Sequence, residues 1–80
     1  MSANNEYVKA IETDSIWINK SHSQRVDLMY IYGMEFVEEG VWSIEDLSFA
    51  ISACIEDELY EAAEGFQCAL TLINYIKHVY

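Results

Sequence analysis

The sequence has no proline and only three glycines, at positions 33, 40 and 65. A β protein of this length needs more turn-forming residues, and the apolar residues recur at the spacing of helices. Eighty residues also limit the chain to one modest core. We therefore predict a single all-α domain over residues 1–80, folded as a small antiparallel bundle of three or four helices.

Cysteine is scarce, and long apolar runs are missing. Cys54 and Cys68 are too far apart for a CxxC motif, so we expect two free thiols buried in helices in a reducing compartment. Glu6 and Glu12 interrupt the region in which a signal peptide would carry its apolar segment. No run approaches the ~18 apolar residues of a membrane span. These features predict a cytoplasmic protein.

Basic residues are also few, with four Lys and Arg against 14 Asp and Glu, so the net charge is -10. No Lys or Arg lies between Arg25 and Lys77. This charge disfavours direct binding to nucleic acid or to an anionic membrane, because both are polyanions. It favours a basic protein partner, whose association would be accelerated by the opposite charge.

Ten carboxylates lie in the acidic half of the chain, from Glu35 to Glu64. Apolar residues are interleaved with them at helical spacing, which predicts packed helices with a negative outer face and not a disordered acidic tail. A row of like charges at this spacing repels itself. It is therefore either a solvated face that keeps the protein soluble or a surface that imitates nucleic-acid phosphates. The candidate partner-binding residues are Glu35, Glu38, Glu39, Glu45, Asp46, Asp57, Glu58, Glu61 and Glu64.

The first half of the chain predicts two helices. One runs from 6 to 18, capped by Asn4 or Asn5, and the polar residues 13–15 can interrupt it. Its apolar face comprises Tyr7, Ala10, Ile11, Trp17 and Ile18. After a linker at 19–23, Ser21 or Ser23 caps a second helix from about 24 to 39. Gly33 within that helix indicates close approach of a neighbouring helix.

The second half begins with the clearest local signal. Gly40 fits a helix stop, Ser43 fits a cap with two acids in the following turn, and Trp42 can form a hydrophobic staple with Leu47. Two apolar stripes follow, and they would not lie on the same face of one continuous helix. We expect a break near Glu56–Glu58 with Asp57 as a cap; one long helix that changes its packed face is the alternative. The stripes are Ile44, Leu47, Ile51, Cys54 and Ile55, then Leu59, Ala62, Phe66, Ala69, Ile73, Ile76 and Tyr80.

Residues 28–49, LMYIYGMEFVEEGVWSIEDLSF, resemble one tetratricopeptide repeat. Gly33, Phe36, Gly40, Trp42 and Phe49 fall where that repeat places small, aromatic, turn-glycine, aromatic and aromatic residues. The resemblance implies a helical hairpin over these residues. The chain departs from the repeat at position 45, where glutamate replaces a small alanine, and no second copy follows. A solenoid requires about three repeats.

Motifs for catalysis or cofactor binding are missing. His22 lies in the linker and His78 near the end, and no pattern joins either to a nucleophile. There is no Glu-x-x-His motif, no EF-hand loop and no glycine-rich phosphate loop. We therefore expect no enzymatic activity, no cofactor and no metal site.

These observations favour a small acidic binding protein. Our leading hypothesis is an inhibitor that covers a basic, nucleic-acid-binding site on a protein partner such as a nuclease. In size and charge the chain resembles phage anti-defence proteins and the immunity proteins of nuclease toxins. The alternative is a helical adaptor or secretion-type chaperone that holds a partner helix in an apolar groove. So much apolar surface in a small chain also indicates burial in a possible homodimer or against a partner.

Overall fold

The computed structural model describes residues 5–13 and 15–79, and of these the side chains other than 5–7, 10, 16, 78 and 79. These residues form helices and no strand, which confirms the all-α class. Three of the helices are long and two are short. They are α1 (Asn5–Glu12), α2 (Ser15–Ile18), α3 (His22–Glu38), α4 (Ile44–Glu56) and α5 (Tyr60–Val79).

The N-terminal region is interrupted near Thr13, so the predicted helix over 6–18 is two helices. Asn5 is the first residue of α1 and not its cap; Asn4 and Asp14 lie outside the described residues. Trp17 is buried, as predicted, whereas Ile18 is 61% exposed and its predicted inward position was wrong. The reason is that α2 ends at Ile18, where the chain turns away towards α3. The predicted inward positions of Tyr7 and Ala10 concern side chains outside the described ones.

Ser21 begins α3, as one of the two predicted caps. The Gln24 N–H donates to Ser21 Oγ at 3.2 Å, and the Ser21 N–H donates to Gln24 Oε1 at 2.9 Å, forming a capping box. Gly40 follows the end of α3 with φ +76, the left-handed conformation that favours glycine. The predicted cap at Ser21 and the predicted helix stop at Gly40 are both confirmed.

Ser43 caps α4 in the same way. Its Oγ accepts from the Asp46 N–H at 3.1 Å, and Asp46 Oδ2 accepts from the Ser43 N–H at 3.0 Å. The predicted break between α4 and α5 is also confirmed, with Asp57 as the C-terminal cap of α4. Glu58 then has φ 61, and the Leu59 N–H donates to the Cys54 carbonyl at 2.7 Å.

The closest helix packing joins α3 to α5. A Cβ on Gly33 would lie 3.0 Å from Ala69 Cβ, and a Cβ on Gly65 would lie 2.5 Å from Met29 Cβ. From the Met29–Gly65 contact to the Gly33–Ala69 contact, the residue number increases by four on both helices, so α3 and α5 run in the same direction. The predicted antiparallel order does not describe this pair. Helix α4 packs mainly on α5 and much less on α3. The direct α3–α4 hairpin that the tetratricopeptide resemblance implied is therefore not the main packing unit.

The core lies where α5 meets its neighbours. Its largest fully buried side chains are Phe66, Met29, Leu47, Val8 and Cys54. The ring of Trp42 bridges α3 and α5, with centroids 4.7 Å from Phe36 and 5.5 Å from Phe66.

Three further predicted inward positions were wrong, in addition to that of Ile18. Ile55 is 51% exposed and Ile76 is 41% exposed, and Cys68 lies at the surface. The inward face of α4 is set by Leu47, Ile51 and Cys54, and Ile55 lies about 100° away from Cys54 around the helix. Cys68 likewise precedes the buried Ala69 by one position. None of the helices in the described part of the chain combines the length and apolarity that a membrane span requires.

Candidate functional site

The nine candidate carboxylates fall into two groups at opposite ends of α4. The first acidic cluster surrounds the end of α3 and the start of α4, and the second surrounds the end of α4 and the start of α5. The 13 residues of α4 separate them by about 18 Å along the helix, at 1.5 Å per residue. The first acidic cluster is Glu35, Glu38, Glu39, Glu45 and Asp46; the second is Asp57, Glu58, Glu61 and Glu64.

The first acidic cluster is open to solvent and uncompensated. Its four glutamates are all exposed, and Asp46 is half-buried, with its carboxylate completing the α4 capping box. Among the residues that the structure describes, no ion pair involves this cluster. Glu35, Glu38 and Glu39 also lie in the last turn of α3 and just beyond it, where the helix dipole adds further negative potential.

Exposed apolar side chains border the first acidic cluster. Val41, in the turn between α3 and α4, is 60% exposed, and Phe49 on α4 is 58% exposed. Glu45 and Phe49 line one shallow depression together with Ser48 and Ser52. A partner here would meet carboxylates and apolar surface side by side.

Three of the four carboxylates in the second acidic cluster pair with bases from other helices, whereas Glu58 is exposed and takes part in no ion pair among the described residues. Arg25 Nη1 lies 3.2 Å from Glu61 Oε1, and His22 Nδ1 lies 2.9 Å from Glu61 Oε2. Lys9 Nζ lies 3.2 Å from Asp57 Oδ2. The acidic half of the sequence contains no base, but the fold brings bases from the N-terminal half next to it. Glu61 is only 24% exposed, so it is not the solvent-facing residue that its place in an acidic helical row predicted.

Arg25 has a structural role that the sequence analysis missed. Its Nε donates to the Trp17 carbonyl at 3.0 Å, and its Nη2 donates to the Ile18 carbonyl at 3.1 Å. The guanidinium carbon also lies 5.5 Å from the centre of the Trp17 ring. Together with its ion pair to Glu61, these contacts join the end of α2 to the first turn of α5. No motif in the sequence marks this set, because its members are far apart in the chain.

Two side chains near the second acidic cluster have perturbed acidity. Burial raises the pKa of Glu12, the charge of Glu61 raises it further, and Arg25 opposes the change. Burial, together with the charges of Glu12 and Asp57, raises the pKa of the Cys54 thiol to about 11. Cys54 therefore stays protonated at neutral pH and is a poor nucleophile.

Within the described residues, no group of His, Cys, Asp and Glu is arranged to hold a metal ion. A comparison with protein-family models, with characterised proteins and with solved structures finds no match to this chain. Charge and geometry are therefore the basis on which a function can be assigned.

Proposed function

We propose that the protein is a small non-enzymatic inhibitor that acts in the cytoplasm and covers a basic, nucleic-acid-binding site on a partner protein. Phage anti-defence proteins and immunity proteins of nuclease toxins act in this way. The observation that supports the proposal is the first acidic cluster, whose four exposed glutamates take part in no ion pair among the described residues. We also propose that the antiparallel order expected from the sequence holds for only one of the three long helices: α4 runs opposite to both α3 and α5.

The chemistry of this surface suits arginine and lysine. A carboxylate accepts two parallel hydrogen bonds from a guanidinium, as a phosphate does. Glutamates three and four residues apart lie about 5–6 Å apart on a helix and repel one another in the free protein. A basic partner would relieve that repulsion, and Val41 and Phe49 would add apolar contact area at the edge.

The second acidic cluster has a different part in the proposal. Asp57 and Glu61 hold Lys9, His22 and Arg25, so the first role of these two carboxylates is to join helices. The cluster still adds to the negative field that draws a basic partner towards the protein. We therefore place direct contact at Glu35, Glu38, Glu39 and Glu45, and long-range attraction at Asp57, Glu58, Glu61 and Glu64.

A charge-reversal pair tests this proposal. In Glu35→Lys/Glu38→Lys, both changes fall near the C-terminal end of α3, where lysine is favoured by the dipole, so the fold should be retained. The control, Asp27→Lys/Glu56→Lys, makes the same change in net charge at two exposed positions outside both clusters. Each protein is immobilised and used to capture its partner from a lysate of the cells that encode it.

We expect the cluster variant to lose the partner and the control to retain it. Capture by wild type should be strong at about 50 mM salt and weak at about 500 mM, because salt screens charge-led binding. Double-stranded DNA should compete with the protein for the captured partner. Equal capture by both variants would show that the first acidic cluster is only a solubilising surface.

The same experiment separates the alternative function. A helical adaptor or secretion-type chaperone would hold a partner helix through exposed apolar residues, and Phe49 and Ile55 on α4 are of that kind. Capture through such a groove would persist at high salt and would resist DNA. It would instead be lost in Phe49→Glu.

A further inference from the structure

Helix α5 has a second apolar seam on the side that faces away from the core. Cys68, Leu72 and Tyr75 follow one another at intervals of four and three residues, the spacing by which one helix packs along another. Cys68 is exposed, Leu72 is half-buried and Tyr75 is 65% exposed. With Gln67 and Thr71 they line one shallow depression on the surface of α5.

The same part of α5 carries no charge. No Asp, Glu, Lys or Arg occurs from residue 65 to residue 76, although 22% of the whole chain is charged. A second copy of this protein also carries a net charge of -10, and most of its surface would repel the first. Two copies meet with least repulsion where both are uncharged and apolar, which is the outer seam of α5.

We infer that the α5 seam binds the α5 seam of a second copy, in antiparallel orientation about a two-fold axis. In that arrangement Cys68 lies opposite the partner's Tyr75, and the two Leu72 side chains meet near the axis. The two copies of Glu64 are then about 22 Å apart along the helices, from 1.5 Å per residue. That separation exceeds the screening length of about 8 Å at physiological salt.

A parallel pair would be unfavourable because it places Glu64 beside the partner's Glu64, and Glu61 beside the partner's Glu61. The antiparallel dimer also leaves the first acidic cluster uncovered, since that cluster lies on α3 and α4. Self-association through α5 is therefore independent of the inhibitor proposal, and either can fail without the other.

Sedimentation of the full chain tests the surface. We expect wild type to form a dimer at about 100 µM, and Tyr75→Glu to weaken the dimer by about tenfold or more, because the change places like charges at the interface. The matched control is Tyr60→Glu, on the same helix and 60% exposed, but about 90° away from the seam. A monomeric wild type, or equal effects of the two substitutions, would overturn the assignment.

Disulfide cross-linking tests the orientation. In an antiparallel pair the two Cys68 residues are about 10 Å apart along the axis, beyond the ~7 Å limit between the Cα atoms of a disulfide. Oxidised wild type should therefore yield little cross-linked dimer, and Cys54 is buried and does not interfere. Leu72→Cys in a Cys68→Ser background should cross-link readily once circular dichroism verifies its fold. The reverse pattern, in which wild type cross-links through Cys68 and the Leu72→Cys variant does not, would exclude the antiparallel dimer.

Discussion

Gly65 shows most directly how one residue shapes the fold. A Cβ at this position would lie 2.5 Å from the Val26 carbonyl oxygen and 2.8 Å from the Tyr30 nitrogen, both in the backbone of α3. Backbone atoms cannot move aside as the end of a side chain can. The absence of a side chain at Gly65 therefore allows α3 and α5 to pack at this distance.

We expect Gly65→Ala to destabilise the protein by about 3 kcal/mol or more, as overpacking against backbone does. Gly33→Ala should cost less, because its Cβ would meet side chains at 3.0–3.1 Å and alanine adds about 1 kcal/mol of helix propensity. Gly40→Ala, in open space but at positive φ, should cost about 1 kcal/mol. Urea denaturation measures all three, and a fully stable Gly65→Ala would contradict the close α3–α5 packing.

At the scale of elements, the two short N-terminal helices are attached by the buried side chains of Val8 and Trp17 and by a few polar contacts. Arg25 joins the end of α2 to α5, and Lys9 joins α1 to Asp57 at the end of α4. These pairs differ in exposure: the Arg25 side chain is 26% exposed, and the Lys9 side chain is 58% exposed. Exposed pairs contribute little, whereas a sheltered carboxylate that loses its partner is costly.

Arg25→Gln should therefore loosen α1 and α2 and cost about 2 kcal/mol, since Glu61 loses its charged partner. Thiol labelling reports this change, because Cys54 is buried near Glu12 of α1 and Cys68 is exposed. We expect Cys54 to react at least about tenfold faster, because the substitution lowers the free energy of the local opening that exposes this thiol. Cys68 should react at an unchanged rate.

Lys9→Gln is the matched control and should change stability by less than about 0.5 kcal/mol. If both variants labelled Cys54 at the wild-type rate, the attachment of α1 and α2 would not depend on Arg25.

For the whole molecule, the excess of carboxylates links stability to pH, and Glu12 is the clearest case. Its pKa is raised in the folded state, so the fold binds this proton more tightly than the unfolded chain does. The associated stability is present below the ordinary value of 4.5 and is lost as the pH rises through the folded pKa. At neutral pH the charged form of Glu12 thus opposes folding.

Glu12→Gln should accordingly melt at a higher temperature than wild type at pH 7, because it removes a desolvated charge that Glu61 repels. The difference should shrink towards zero as the pH falls below 4.5, where both side chains are neutral. Asp27→Asn is the exposed control and should show a smaller difference. A Glu12→Gln variant that is less stable at pH 7 would mean that the attraction of Arg25 outweighs burial.

Local features were predictable from the sequence because their causes lie within a few residues. Ser21 with Gln24 and Ser43 with Asp46 form capping boxes, Gly40 adopts positive φ, and the chain breaks where the two apolar stripes fail to join. The capping boxes and the Gly40 conformation depend on hydrogen bonds or backbone conformation over less than one helical turn, and the break depends on the spacing of apolar residues on either side of it. The all-α class follows from the same local signals, repeated along the chain.

The sequence by itself determined the three long helices, the core positions Leu47 and Phe66, and the amount of negative charge. Only the tertiary structure decided which carboxylates are uncompensated. It brings Arg25 and His22 to Glu61, 36 and 39 positions away in the chain. It leaves Glu35, Glu38, Glu39 and Glu45 without an ion pair among the described residues. The physical reason is that electrostatic energy depends on distance in space, and close α3–α5 packing sets that distance.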